Sequence, residues 1–286
     1  MKQLRYIWKT SILKIRNIKV TTFALVILVT CWSYNRPVKL FVKSVNYPVS
    51  WCVFPYFMSV FPFLILFLFG IVYINSDVPF MQHANLYQVL RTGRRRWALG
   101  QVGGIFLRSC VVVLFTALCT IVTLLPNIEL TNEWGKLLRT AAVTDAMVVY
   151  DFKYVIYYEI FNTYTPLQLM GITLLICILI STFMGIFMFL ICLYFNKVIA
   201  VAGTLAMAIL LFFVVNIHPR LKQKLAYFVP TIWAEVARIA SPEYGFYWLP
   251  SISYMLLFLT VAIGLMSVLI IHKVKYIEFN WDKDDV

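Results

Sequence analysis

The chain has 286 residues, 62% of them hydrophobic and 13% charged, with 25 Lys and Arg against 12 Asp and Glu. This apolar content is far above that of a soluble domain. The cations flank long apolar stretches instead of marking one soluble surface, which argues against a nucleic-acid-binding protein. We therefore predict an all-α integral membrane protein.

A helix crosses the hydrocarbon of a bilayer with about 20 apolar residues at a rise of about 1.5 Å each. The first apolar stretch is short, but Lys19 can snorkel at one end while Trp32 and Tyr34 lie at the headgroups of the other. Between the third and fourth stretches, residues 126–166 form a loop long enough to predict its own small helices. The sequence predicts six transmembrane helices, near residues 20–34, 53–74, 105–125, 167–195, 198–217 and 252–271.

Six spans place both termini on the same side of the membrane. The two strongest cationic clusters lie in residues 1–19 and 91–96, on short segments of one side, and the positive-inside rule makes that side cytosolic. We expect a multi-pass protein of the cell membrane with cytosolic termini, a cytosolic tail over residues 272–286, and anionic lipid headgroups as partners of the cations.

The first 19 residues are amphipathic. Leu4, Ile7, Trp8, Ile12 and Ile15 follow the spacing of one helical face, and most of the cations lie away from it. This pattern predicts a helix in the inner interface that Trp8 anchors. No small-residue cleavage site follows the apolar run, so we expect this segment to be retained.

None of the six predicted spans contains an acidic residue, and the first acidic residue of the chain is Asp77. Carriers driven by protons or sodium usually need ionisable groups near the midplane, so an autonomous secondary transporter is disfavoured. The three histidines are isolated, and the sequence has no zinc-protease motif and no phosphate-binding loop. We predict no catalytic, cofactor-binding or metal-binding residues, while a disulfide between Cys31 and Cys52 stays open.

The segment after the second predicted span carries arginines on both sides of Gly93. Ala84, Leu86, Tyr87 and Leu90 can lie along one side of a short helix, and Gly93 then allows a turn. Two interpretations are open: the segment only sets topology, or its helix is a docking site for a soluble motor protein. The cluster expected to anchor the third span at the interface is Arg94, Arg95, Arg96 and Trp97.

This layout resembles the permease subunits of type-2 ABC exporters, over essentially the whole chain. The local likeness is the arginine-glycine-arginine-tryptophan pattern of residues 91–97. The resemblance implies an elbow helix over residues 1–19, a coupling helix over residues 80–91, and outer re-entrant helices over residues 225–240 before the sixth span. It implies that the ATPase would be contacted by Ala84, Leu86, Tyr87, Leu90 and Arg91.

The same resemblance implies partners for the chain. ATP and Mg²⁺ would be bound by a separate ATPase subunit, and a second six-span permease subunit would complete a homodimer or heterodimer. Helices can approach closely at Gly100/Gly104, Ser181/Gly185 and Ala202/Ala206, either within one subunit or between two. The cargo would be amphipathic, peptide or lipid-like, and its path would be lined by Phe54, Tyr56, Phe57, Met58 and Asn216, unless these aromatic residues face lipid.

Two other functions are compatible with the sequence. A non-transporting scaffold or immunity protein that binds a toxic peptide would show the same composition and no transport cycle. A secondary carrier would require an ion-coupling site that the placement of acidic residues does not indicate.

Overall fold

A computed structural model describes residues 18–76, 89, 92–242, 245–247 and 249–276. Helices dominate these residues, and the only strands they contain are two of two residues each. In chain order the elements are α1 (Ile18–Val45), β1 (Val49–Ser50), α2 (Phe54–Met58), α3 (Phe61–Asn75), α4 (Arg94–Val122), β2 (Ile128–Glu129), α5 (Gly135–Val143), α6 (Ala146–Val149), α7 (Ile160–Thr163), α8 (Pro166–Tyr194), α9 (Lys197–Val215), α10 (Pro219–Ala226), 3-10 turns at Pro230–Ala234 and Val236–Arg238, and α11 (Ile252–Tyr276).

Five of these helices are long and apolar enough to cross a bilayer: α1, α4, α8, α9 and α11. The chain is therefore a multi-pass helical membrane protein, as the composition predicts. Both α4 and α8 have 29 residues. At about 1.5 Å per residue each is longer than the hydrocarbon thickness.

The second predicted span, residues 53–74, differs from the expectation. It forms two helices, α2 and α3, because Val60 adopts an extended backbone and Pro62 follows it in the first turn of α3. Proline lacks the N–H that would continue a preceding helix. With only 15 residues, α3 is shorter than a typical span.

Helix α8 lies at the centre of the bundle and contacts α3, α4, α9 and α11. Its start is well defined, because the Thr165 hydroxyl accepts from the Gln168 backbone N–H and the Gln168 side chain accepts from the Thr165 N–H. This reciprocal pair satisfies two backbone donors that a helix start leaves without partners. Asn196 begins α9 in a similar way by accepting from the Ile199 N–H at 2.8 Å.

The helices alternate in direction, so α1, α4 and α9 end where α3, α8 and α11 begin. At this end, which we call the cap end, three connecting segments pack together as a cap layer (residues 46–60, 123–165 and the described part of 216–251). Strands β1 and β2 pair in parallel, with Val49 opposite Ile128. The expected helices within residues 126–166 are present as α5, α6 and α7.

The region before α11 differs from the expected re-entrant helices. Residues 225–240 form the last turn of α10 and two 3-10 turns instead of apolar half-helices. Pro230 starts the first of these turns, and it cannot continue α10 because it lacks a backbone N–H. The side chains of Pro230–Ala234 are all buried, so this segment forms a buried part of the cap layer.

Candidate functional site

The predicted coupling residues Ala84, Leu86, Tyr87, Leu90 and Arg91 lie outside the described residues, and so do Trp8 and most of the predicted elbow segment. The structure does describe both flanks of the 77–91 segment. These flanks are the end of α3 at Asn75 and Ser76, and the start of α4 after Gly93.

Helix α4 begins at Arg94, well before the predicted start near residue 105. Gly93 has a φ of 81°, a left-handed conformation that favours glycine, and its N–H donates to the Val89 carbonyl at 2.8 Å. The turn expected at this glycine is thus present. Arg94, Arg95 and Arg96 are exposed in the first turn of α4.

Trp97 differs from the expectation of an interfacial anchor. Its side chain is fully buried, and its ring meets the ring of Phe189 on α8 edge to face, with centroids 6.1 Å apart. Because α4 starts at Arg94, the face that carries Trp97 turns towards the bundle. Trp97 therefore packs two helices together, and the exposed arginines alone occupy the surface.

The two ends of the bundle differ in the acidic residues that they carry. The end opposite the cap, which we call the basic end, carries Lys19, the three arginines of α4, Lys197, Lys273 and Lys275. All six described acidic residues lie at the cap end, five of them within residues 123–165. The basic end therefore attracts anions, such as lipid headgroups or an acidic protein surface.

Arg108 lies at the middle of α4 and is 4% exposed, buried among the helices. Its Nη1 donates to the Ile74 carbonyl at 3.2 Å and lies 3.4 Å from Asn75 Oδ1. Asn75 also donates through Nδ2 to the Ile71 carbonyl at 3.0 Å. A cation thus meets the negative end of the α3 dipole in the apolar interior. We call Arg108, Ile74 and Asn75 the α3 junction.

Two further observations place the α3 junction where three helices meet. A Cβ on Gly185 of α8 would lie 2.5 Å from Ile105 Cγ2 and 3.4 Å from Asn75. One helical turn away, Ser181 Oγ donates to Ser109 Oγ at 3.0 Å. Only a residue without a side chain permits this approach of α8 to α3 and α4.

Both flanks of the 77–91 segment are tied to other helices. On one side, Lys19 of α1 donates to Ser76 Oγ at 2.5 Å and lies over the Tyr73 ring. On the other side, Arg94 donates to the Lys275 carbonyl of α11 at 3.1 Å. A displacement of this segment would therefore act on α1, α3, α4 and α11.

Four of the five predicted path residues lie together, and the fifth lies apart from them. Phe54, Tyr56, Phe57 and Met58 are all fully buried in α2, in the part of the cap layer that contacts α4 and α8. The Phe57 ring lies 5.0 Å from the Tyr154 ring. Asn216 lies apart from them, exposed at the end of α9, where its amide donates to the Phe212 carbonyl at 2.7 Å.

A buried polar cluster at the cap end joins α1 and α4. Asn35 is fully buried and donates to the Thr120 carbonyl at 3.1 Å and to Thr123 Oγ1 at 2.8 Å. Tyr154 Oη of the cap layer lies 3.4 Å from Asn35 Oδ1. Burial raises the pKa of the Tyr154 phenol, which keeps it protonated as a donor.

The α3 junction and the Asn35 cluster are the two polar sites that the predicted span pattern does not reveal. Arg108 alone carried a signal, as an ionisable residue inside an apolar stretch. Within the described part of the chain, no group of His, Cys, Asp and Glu side chains could hold a metal ion. All six cysteines are free thiols, including Cys31 and Cys52.

Comparison with known proteins adds no relative. No family model matches the chain, no curated protein is significantly similar in sequence, and no solved structure is significantly similar in fold.

Proposed function

We propose that this chain is the membrane-spanning permease subunit of an ATP-driven ABC exporter in a cell membrane, with both termini in the cytosol. A separate ATPase subunit would bind ATP and Mg²⁺, and the chain itself would be non-catalytic. The cargo would be an amphipathic, peptide or lipid-like molecule.

The observation that carries this proposal is the attachment of the 77–91 segment at both flanks. Lys19 and Arg108 hold the end of α3, and Arg94 links the start of α4 to α11. Closure of the ATPase subunits against the proposed coupling helix would shift these helices together, since the chain joins α3 and α4 to the segment and polar contacts at its flanks join them to α1 and α11. The bundle would then open towards the cap end.

Of the three pairs of small residues predicted to permit close approach, one lies on an exposed surface. Gly100/Gly104 and Ser181/Gly185 are buried within the chain, whereas Ala202 and Ala206 are exposed on α9. Val198 and Phe213 lie on the same helix and are 73% and 56% exposed. We propose that α9 packs against the second subunit through Ala202 and Ala206, where small side chains permit a close approach.

The first experiment tests the ATPase partner. Tagged full-length protein, purified from its own membrane, should bring down a protein with a phosphate-binding loop. The double variant Tyr87→Asp/Leu90→Asp should lose this partner while it stays inserted and monodisperse, because charged groups would replace an apolar contact surface. Val148→Asp/Val149→Asp is the matched control, because these residues are 81% and 74% exposed at the other end of the molecule.

Three outcomes would contradict the proposal. If the Tyr87→Asp/Leu90→Asp variant keeps both the ATPase and transport, the coupling helix is assigned wrongly. A wild-type chain that brings down no nucleotide-binding protein indicates the scaffold or immunity function. Transport that survives ATP depletion but stops when the ion gradient collapses indicates a secondary carrier.

A second experiment separates ATPase binding from transmission of movement. Arg108→Gln removes the charge at the α3 junction without touching residues 77–91, so we expect ATPase association to persist while ATP-driven transport falls. Arg139→Gln on exposed α5 removes the same charge from the cap end and should leave both unchanged. If the Arg108→Gln variant transports at the wild-type rate, the α3 junction does not take part in coupling.

A further inference from the structure

The cap-end half of α1 carries a cationic groove on its outer face. Trp32, Arg36, Lys39, Leu40 and Lys43 line this groove, which has a volume of about 360 Å³. We call it the α1 groove. Trp32 and Leu40 are 57% and 55% exposed, so the rest of the described chain does not cover them.

The spacing of these residues places them on one side of the helix. Trp32, Arg36, Lys39 and Lys43 follow one another at intervals of four, three and four residues, which aligns them on a single face. No acidic residue lines the groove. Within the described ranges, no hydrogen bond or ion pair to another residue engages these three cations, and like charges at this spacing repel one another. A bound anion would relieve that repulsion.

The same face of α1 becomes apolar towards the basic end. Leu25 and Val29 are 59% and 63% exposed and lie in line with Trp32. Along one uncovered face the order is therefore aliphatic, then tryptophan, then cationic. A phospholipid presents matching chemistry in the same order, with acyl chains, an interfacial region and a phosphate.

We propose that the α1 groove binds an anionic phospholipid. Its phosphate contacts Arg36, Lys39 and Lys43, and its acyl chains lie along Leu25 and Val29. A soluble anion would leave the aliphatic half of the face without a role, and an acidic peptide would place polar backbone against it. The groove lies at the cap end, so the lipid comes from the leaflet opposite the arginines of α4. The proposal does not depend on the ABC assignment.

The experiment uses Trp32 as its own reporter. Full-length protein is placed in nanodiscs that contain phosphatidylglycerol or phosphatidylcholine with brominated acyl chains, which quench nearby tryptophan. Subtracting the fluorescence of Trp32→Phe isolates the signal of Trp32 from the other seven tryptophans. We expect phosphatidylglycerol to quench Trp32 at a lower mole fraction than phosphatidylcholine. Replacing all three cations (Arg36→Gln/Lys39→Gln/Lys43→Gln) should lower the apparent affinity for phosphatidylglycerol by about fivefold per cation.

A matched variant controls for total charge. Lys136→Gln/Arg139→Gln/Lys153→Gln removes three exposed cations from the same end of the molecule but outside the α1 groove, and it should keep the preference for phosphatidylglycerol. An equal loss in this control would overturn the proposal, as would equal quenching of wild-type protein by the two lipids. Excess soluble glycerophosphoglycerol should not relieve the quenching; relief would mean that the groove takes a free anion instead of a lipid.

Discussion

At the cap end, three connecting segments pack into one layer of buried aromatic side chains and short hydrogen bonds. At the basic end, cations lie near the helix ends, and polar contacts join those ends one at a time, such as Arg94 to the Lys275 carbonyl. Trp97 of α4, packed against Phe189 of α8, is the buried aromatic contact nearest to the arginines. Acidic and basic residues mix at the cap end, whereas every described charge at the basic end is positive.

This difference suggests a division of mechanical roles. Cooperative packing of large side chains makes a layer that moves as one unit, because no part can shift without opening cavities. A few polar contacts between helix ends can break and re-form at much lower cost. If a partner acts on the chain as proposed, the basic end is therefore where individual helices would be displaced, and the cap layer is the body against which they would move.

The largest expected effect tests the packing of the cap layer. Trp134 is 3% exposed, its ring lies 4.9 Å from the Phe161 ring, and its Nε1 donates to the Tyr164 carbonyl at 2.8 Å. Trp134→Ala should lower the free energy of unfolding by about 3–5 kcal/mol, because it leaves a cavity. Denaturant unfolding in detergent, followed by circular dichroism, measures this change.

Two control variants help to interpret the result for Trp134→Ala. Trp134→Phe keeps most of the ring volume and should cost about 1 kcal/mol through the lost hydrogen bond. Val149→Ala, at a side chain 74% exposed, should change stability by less than about 0.5 kcal/mol. If Trp134→Ala behaves like the Val149 variant, the cap layer is not a cooperative unit.

The next effect concerns the close approach at the α3 junction. Gly185→Ala should destabilise the protein by about 1–3 kcal/mol, because the new methyl group would overlap Ile105. Gly171 lies on the same helix and has no atom within 4 Å of its Cβ position. Gly171→Ala should therefore be neutral or stabilising by up to about 1 kcal/mol, since alanine favours a helix more than glycine does. Equal behaviour of the two variants would mean that α8 does not approach α3 and α4 this closely.

The sequence predicts most of the helices because a helix that crosses a bilayer needs a minimum number of consecutive apolar residues, which can be counted in the sequence. Four predicted spans overlap α4, α8, α9 and α11, and the short first stretch becomes the part of α1 towards the basic end. Hydropathy does not reveal that α1 continues to Val45, because polar and charged residues interrupt the apolar ones past Tyr34 and Arg36 precedes Pro37. The cap layer supplies the packing that keeps those residues helical. Phe41 is an example, because its ring lies tilted against the Tyr150 ring with the centroids 5.0 Å apart.

Side-chain contacts were harder to predict, since they depend on which face of each helix meets another. Trp97 follows three arginines, as an interfacial anchor would, yet it lies on the face of α4 that is buried against the bundle. The break at Val60 depends on one extended residue within an otherwise continuous apolar run. Arg108 was visible as a cation inside a span, but its partners at the end of α3 depend on where that helix stops.

A smaller effect is expected from the polar cluster that joins α1 and α4 near the cap end. Asn35→Ala removes the two hydrogen bonds that Asn35 donates and also the acceptor of the Tyr154 hydroxyl, so we expect a loss of about 1–2 kcal/mol. Ser33→Ala, at an exposed position on the same helix, is the control and should have little effect. Thermal unfolding of the two variants in the same detergent compares them. A loss with Ser33→Ala as large as with Asn35→Ala would show that helix α1 itself, and not the buried amide, is sensitive to substitution.

The smallest effect is expected where the cap layer carries an ion pair on its surface. Lys153 pairs with Asp151, and their side chains are 44% and 80% exposed. Water and salt screen such a pair, so Lys153→Ala should change the free energy of unfolding by less than about 0.5 kcal/mol, with little dependence on ionic strength. Unfolding at low and high salt checks this. A larger, salt-sensitive loss would mean that surface charge, and not the aromatic packing around Trp134, holds the layer together, and the contrast between the two ends would then be one of electrostatics alone.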